Sequence, residues 1–249
     1  HHAPNLWTPH QNFRRASPSS ITTGLLMEPS FWHERWNDNR IGFHLDAPNP
    51  LLLHHWPALQ LPQGVSVLVP LCGKTHDLDA LAAMGHRVTG LELSPIAVRA
   101  WFEERGHTPR VDVYADHEIW SHENVRIVLG DALTMSWTET FDAVWDRAAS
   151  VALRLDLRPR YAARLASWLK PGARGLLVTF EYPVSEREGP PFAIPPTAVA
   201  ALYEGTHVLT QMASDDLIAR WHAAGHASPH PFGVTQLHEV TWMLERRRT

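Results

Sequence analysis

The stretch VSVLVPLCGKTHDLDALAAMGHRVTGLEL, Val65–Leu93, decides the fold of this 249-residue chain. It opens on the apolar run VSVLVPL, short and β-branched, which reads as a strand buried on both faces. In HDLDALAAMG, Leu78, Leu81 and Ala82 fall on one helical face and Gly85 stops the helix; HRVTGLEL is a second buried strand. Strand, helix and strand in this order form a βαβ unit, the building block of a parallel sheet. The embedded Gly73-Lys74-Thr75 matches the end of a triphosphate-binding loop. That loop needs a glycine five positions earlier to curl its backbone N–H groups around an anion, and Leu68 stands there inside the strand. The ATP reading fails on that requirement.

Working outward, Ser94 caps a helix that begins at Pro95 and runs to about Arg105. VRIVLGDAL supplies a third strand, FDAVWDRAA a fourth and ARGLLVTFEY a fifth, the last introduced by a helix near Pro159–Leu169 and the turn Pro171-Gly172. The proline-dense PVSEREGPPFAIPP is a loop, AVAALYEG and SDDLIARWHAAG read as helices, and HEVTWMLERR as a final strand. The interval Arg105–Asn124 reads as a helix or loop excursion. The expectation is an α/β, Rossmann-like fold with a mostly parallel central sheet and helices on both faces.

Composition narrows the function classes. With 44% hydrophobic residues the chain can bury one full core, so residues 28–249 are expected to form a single domain. A net charge of −4 and no clustered basic face argue against nucleic acid, and no apolar run reaches membrane-spanning length. The single cysteine, Cys72, rules out an intramolecular disulfide framework and points to a reducing cytoplasm. The seventeen histidines form no cluster with ligand spacing, so no metal site is expected. Residues 1–27 lack any sustained period and read as a tag remnant or disordered extension.

In an open parallel sheet, ligands sit beyond the carboxyl ends of the strands near the switch in strand order. Gly73 closes the first strand, and Glu92 closes the second about twenty residues on, where a carboxylate can take both hydroxyls of a ribose. With one glycine in place of G-x-G-x-x-G, the loop offers no seat for a dinucleotide pyrophosphate. An adenosine ligand without phosphate, such as S-adenosylmethionine (SAM), needs none. Asp131, at the end of the third strand, could meet the adenine or serve only as a turn residue; Cys72 reads as a small buried residue rather than a nucleophile.

FWHERWNDNRIGFH (Phe31–His44), PLCGK (Pro70–Lys74), GLELS (Gly90–Ser94), WDRAA (Trp145–Ala149) and GPPFAIP (Gly189–Pro195) occur here in one order. Together they closely resemble the thiopurine S-methyltransferase family, particularly its bacterial members, from about Ser30 to the C-terminus. The resemblance implies a class I SAM-dependent methyltransferase fold, SAM as cofactor with S-adenosylhomocysteine as product, and an aromatic or heterocyclic thiol as acceptor. It also implies an N-terminal lid over about residues 30–60. On its alignment Trp32, Trp36 and Phe43 cover the cofactor, and Leu71 and Gly73 hold its amino-acid end. Glu92 holds its ribose, and Asp131 and Ala132 its adenine. Arg147 stands beside both ligands as the catalytic candidate, and Phe43, Pro190, Pro191 and Phe192 approach the acceptor. Ser228 aligns with an arginine of mammalian members, so an acidic acceptor is held differently here.

Methyl transfer from a sulfonium requires alignment and exclusion of water more than acid–base chemistry, because an aromatic thiol is largely thiolate near neutral pH. Arg147 would orient or favour an anionic acceptor; the plainer alternative is a structural ion pair to Asp146 or Asp142. Trp32 and Trp36, four residues apart, could equally be one helix face packed on the core. Competing functions are methylation of selenium or tellurium species or of small anions such as halide or thiocyanate, and a SAM-binding module without catalysis. The expected partner is a small thiol or metalloid acceptor, and the expected state a monomer.

Overall fold

The computed structural model describes residues 29–147 and 149–248, so the expectation for residues 1–27 lies outside the described residues. The chain builds one nine-stranded sheet in the order β3-β4-β5-β2-β1-β6-β7-β9-β8. Its centre is the parallel set β5 (Val125–Leu129), β2 (Arg87–Glu92), β1 (Ser66–Val69), β6 (Phe141–Asp146) and β7 (Leu169–Glu181). These are the five strands read from the sequence. The sheet is more mixed than expected, because antiparallel strands extend it at both ends.

Side-chain alternation explains why the central strands are apolar throughout. Val67 and Val69 of β1, Ala143 and Trp145 of β6, and Leu176 and Val178 of β7 enter one buried layer; Leu68, Val144 and Leu177 enter the opposite one. The first layer is covered by α2 (Pro50–His55), α3 (Asp77–Ala83) and α4 (Pro95–Glu103), the second by α5 (Arg158–Trp168) and α6 (Pro196–Tyr203). Ser94 caps α4 as expected, its hydroxyl accepting from the Ala97 N–H, and Gly85 ends α3 with φ at +90°.

Three readings need correction. The interval 105–124 is neither helix nor loop excursion: β3 (Arg110–Val113) and β4 (Glu118–His122) form an antiparallel hairpin on the edge of the sheet. Because β3 is largely exposed, its sequence RVDV carries charge where a core strand would carry apolar residues. A second edge strand, β8 (His207–Asp216), takes residues 214–216 from the expected helix; α7 then spans Leu217–Ala223, capped by the Asp216 carboxylate on the Ala219 N–H. Pro171 and Gly172 lie within β7, where the pairing jumps from Phe141↔Leu169 to Ala143↔Arg174 and the extra residues bulge out. The last strand, β9 (His238–Arg246), lies between β7 and β8 and runs antiparallel to both.

Candidate active site

A cavity of about 2230 Å³ opens along the carboxyl edge of the parallel strands. Its wall is formed by Leu71 and Gly73 after β1, Glu92 at the end of β2, Gly130–Thr134 after β5, Arg147 after β6 and Phe180 in β7. The roof is α1 (Pro29–Asn37) with the segment that follows, bringing Trp32, Trp36 and Phe43 to the same space. The Phe43 ring meets Trp36 edge-on at 5.8 Å and Trp32 at 6.1 Å. Trp36 is buried against the β1 loop, as the packing reading expects, while Trp32 is only half-buried; all three rings border the cavity.

Gly73 is required by geometry. Its φ is +55°, and a Cβ there would lie 3.1 Å from the Trp36 ring. Leu71 also sits at positive φ, +49°, which turns the chain sharply out of β1. Lys74 pairs with Glu104, and the Thr75 hydroxyl accepts from the Asp77 N–H, so the GKT triplet serves the turn into α3 and not a phosphate. Cys72 is buried with its sulfur filling the space a Cβ on Gly90 would need, and burial pushes its thiol well above the usual range. That environment suits packing and disfavours a nucleophile.

Glu92 is buried and accepts three backbone N–H groups: Gly73 at 2.7 Å on Oε2, Leu93 at 2.9 Å and Ser94 at 2.7 Å on Oε1. A carboxylate accepts about four hydrogen bonds, so about one position remains for a ligand. Glu92 therefore ties the β1 loop to the β2 turn before it meets any hydroxyl, and a two-hydroxyl clamp requires one of those amides to let go. Burial raises its carboxyl above the ordinary carboxylate range against the opposing effect of those bonds. Asp131 accepts the Leu133 N–H on Oδ1 at 2.8 Å, a turn role, and no bond reaches Oδ2 among the described residues. Ala132 is buried beside it on the cavity wall.

Arg147 is held by its neighbour in sequence and by the roof. Asp146 is fully buried and accepts from the Tyr161 hydroxyl, the Ser150 hydroxyl and the Ala149 and Ser150 N–H groups, fixing the turn in which Arg147 stands. Asp142 is taken by Ser66 and Lys170. Neither carboxylate pairs with Arg147, which removes the structural ion pair considered above. Instead Nη1 donates to the Phe43 carbonyl at 2.8 Å, joining the end of β6 to the roof.

Pro190 and Pro191 line the cavity, but Phe192 stands outside the wall. Its N–H donates to the Val151 carbonyl and its ring lies under the Arg158 guanidinium, 5.5 Å from the centroid. Ser228 is exposed; its carbonyl accepts the Trp221 indole N–H at 2.8 Å. Positive charge reaches this wall from residues the sequence reading passed over, Arg220 on α7 and Arg187 in the proline-rich loop. Glu239, the second residue of β9, lines the same cavity. A lone carboxylate within the apolar run HEVTWML was the available signal for it.

Known proteins resemble this chain in sequence and in fold. The family model described as Thiopurine S-methyltransferase matches residues 27–247. A thiopurine S-methyltransferase of Xanthomonas axonopodis pv. citri is 41% identical over 89% of this chain and 100% of its own length. One from Xanthomonas campestris pv. campestris is 48% identical over 71% of this chain and 82% of its own. Among solved structures, the 1,6-didemethyltoxoflavin-N1-methyltransferase of Burkholderia thailandensis superposes with a TM-score of 0.57 at 20% identity, covering 88% of this chain and 87% of that one. A SAM-dependent methyltransferase from Methanosarcina mazei gives 0.57 at 15% identity, over 82% and 100%. These two share the fold, a class I SAM-dependent methyltransferase sheet, and the sequence match is the narrower result: the chain belongs to the thiopurine S-methyltransferase family.

Proposed function

We propose that this S-adenosylmethionine-dependent S-methyltransferase acts on an aromatic or heterocyclic thiol, with the cofactor over β1, β2 and β5 and the acceptor over β6, β7 and β9. Family membership carries the S-methyl transfer and its cofactor; the acceptor and the residue roles are our reading of the cavity. The observation that carries it is the closure of the β1 and β2 ends by the Gly73–Glu92 bond under Trp36, with Arg147 tying the next strand end to the same roof. This arrangement fits SAM on its own chemistry. Among the described residues it offers a buried carboxylate with a position left for a hydroxyl, a second carboxylate with an unbonded oxygen at Asp131, aromatic walls, and no phosphate cradle.

When bound, SAM supplies an electrophilic methyl group on a sulfonium whose charge disappears as the acceptor sulfur attacks. The chain's part is to align the two and to shut out water. Leu71 and Gly73 would border the amino-acid end, Glu92 the ribose, Asp131 and Ala132 the adenine, and Trp32, Trp36 and Phe43 the top. Arg147, with Arg187 and Arg220, would draw an anionic acceptor, replacing a cation at position 228; Pro190 and Pro191 would border its entrance. We read residues 28–249 as one domain with a lid over about 30–60, acting as a cytoplasmic monomer on small molecules, with no nucleic-acid or membrane partner. No helix among the described residues is long and apolar enough to cross a membrane.

A panel of aromatic thiols, heterocyclic thiols, selenite-derived species, halides and thiocyanate in one SAM-consumption assay tests the acceptor. Turnover led by the thiols supports the reading. Turnover led by the halides or thiocyanate, by the selenium species, or by none of the panel refutes it.

A further inference from the structure

Glu239 is 6% exposed, and no hydrogen bond or ion pair reaches its carboxyl oxygens among the described residues, yet the residue lines the cavity. With the residue buried and no protein donor on its oxygens, the carboxyl reaches the cavity space, and the occupant of the cavity is the natural source of a donor. Position identifies which occupant. The sheet order β1-β6-β7-β9 puts Glu239 three strand steps from β1, about 14 Å at the usual strand spacing, and so away from Gly73 and Glu92. Across the ladder it faces Phe180 of β7, itself a wall residue, and Asp215 of β8. The charges around it are Arg147 after β6, Arg220 on α7 and Asp215.

We propose that Glu239 accepts the ring N–H of a heterocyclic thione acceptor and takes that proton as the sulfur is methylated. This rests on the thiol-acceptor reading above and deepens it. A heterocyclic thiol whose sulfur neighbours a ring nitrogen exists largely as the N–H thione, which is neutral and a poorer nucleophile than a thiolate. The sulfur electron pair forms the new S–CH3 bond, and the sulfonium C–S bond breaks to leave the neutral thioether S-adenosylhomocysteine. The N–H pair shifts into the ring while the proton passes to the Glu239 carboxylate, giving a neutral methylthio heterocycle and a carboxylic acid. Burial raises the Glu239 carboxyl above the ordinary range, while Arg147 and Arg220 oppose that shift and Asp215 adds to it, so the carboxylate is a stronger base than an exposed one.

The test compares 2-thiopyridone, a thione with an N–H, and thiophenol, which has none. Glu239→Gln keeps an oxygen to accept the N–H but cannot take its proton. We expect kcat for 2-thiopyridone to fall at least about a hundredfold with KM little changed, and thiophenol turnover to move less than about threefold, the span expected of a general base. Glu239→Leu, with the protein loaded with S-adenosylhomocysteine, should bind 2-thiopyridone at least about tenfold more weakly by calorimetry, the scale of one hydrogen bond to a charged group. Retained 2-thiopyridone turnover in Glu239→Gln, or equal losses for both acceptors in either variant, overturns the role of Glu239 while S-methyl transfer to thiols stands. A wild-type protein that methylates neither compound overturns both.

Discussion

Removing Arg147 tests the two roles proposed for it, because only one of them, the bond to the Phe43 carbonyl, is made by the protein itself. One of the five guanidinium N–H groups is used, on the Phe43 carbonyl at 2.8 Å, and no acidic side chain pairs with it among the described residues. Loss of that bond in Arg147→Ala frees the roof from the end of β6. We expect a cost of about 1–2 kcal/mol, shared by every acceptor and visible as weaker SAM binding. The remaining N–H groups are available to an anionic acceptor, and losing them should cost a further 2–3 kcal/mol, about a hundredfold in kcat/KM, for thiolates alone. Arg147→Lys should restore only part, since an ammonium cannot hold Phe43 and an anion with one planar fork. Steady-state kinetics at saturating SAM, comparing a thiolate acceptor with a neutral one, read the selective part; calorimetry with S-adenosylhomocysteine reads the shared part. Arg147 also favours the ionised form of Glu239, so in the alanine variant the ascending limb of the pH–rate profile for a thione acceptor should move to higher pH. Equal losses for both acceptors, with an unmoved pH profile, would refute the electrostatic role and leave Arg147 a roof anchor.

Gly73→Ala should destabilise the protein by about 1–2 kcal/mol in chemical denaturation and weaken SAM binding, because an L side chain at φ +55° is strained and its Cβ presses on Trp36; an unchanged midpoint would mean the roof is not seated on this loop. In Glu92→Gln one oxygen becomes an N–H2 donor facing backbone N–H groups, so the unliganded protein should lose about 1–3 kcal/mol and SAM affinity should drop. Thermal melts with and without S-adenosylhomocysteine measure both effects, and a variant matching wild type in each removes the assignment. His207 is fully buried with no partner on Nε2 among the described residues, and burial pulls its imidazole down to about 4 from 6.5. Below pH 6.5 the unfolded chain therefore gains a proton that the folded one refuses until about pH 4, so stability falls as pH drops through that window. His207→Phe should lose about 2–3 kcal/mol less than wild type between pH 7 and 4.5 in urea titrations, and identical pH dependences would show that His207 is protonated in the fold.

The parallel centre was legible because its strands are buried on both faces. Val67, Leu68 and Val69 fill opposite layers in succession, and that demand writes an unbroken apolar run into the sequence. The edges were illegible for the converse reason. β3 and β8 each have one free side, so Asp112, Asp215 and Asp216 occur within them at no cost and erase the pattern. Helix α7 was misplaced by the same residues: Ser214, Asp215 and Asp216 look like a helix start, and only Asp216 caps one.

The candidate site divides along the same line. Gly73, Glu92, Asp131 and Arg147 follow parallel strands, where the carboxyl-end rule finds them from order alone. Glu239 escapes that rule because β9 runs backwards: its amino end, paired to Phe180 near the end of β7, comes to the same edge as the carboxyl ends of its neighbours. Arg220 escapes it because α7 is reached only through the edge strand β8. Turns after parallel strands present main-chain N–H groups and small carboxylates, which suit the fixed shape of a cofactor. The reversed strand and its helix present a buried carboxyl and a guanidinium at the far end of the cavity, and these can distinguish one acceptor from another by proton and charge. On the proposed reading, β8, β9 and α7 set the choice of acceptor: exchanging Glu239 or Arg220 should alter acceptor preference, whereas exchanging Glu92 or Asp131 should alter SAM binding.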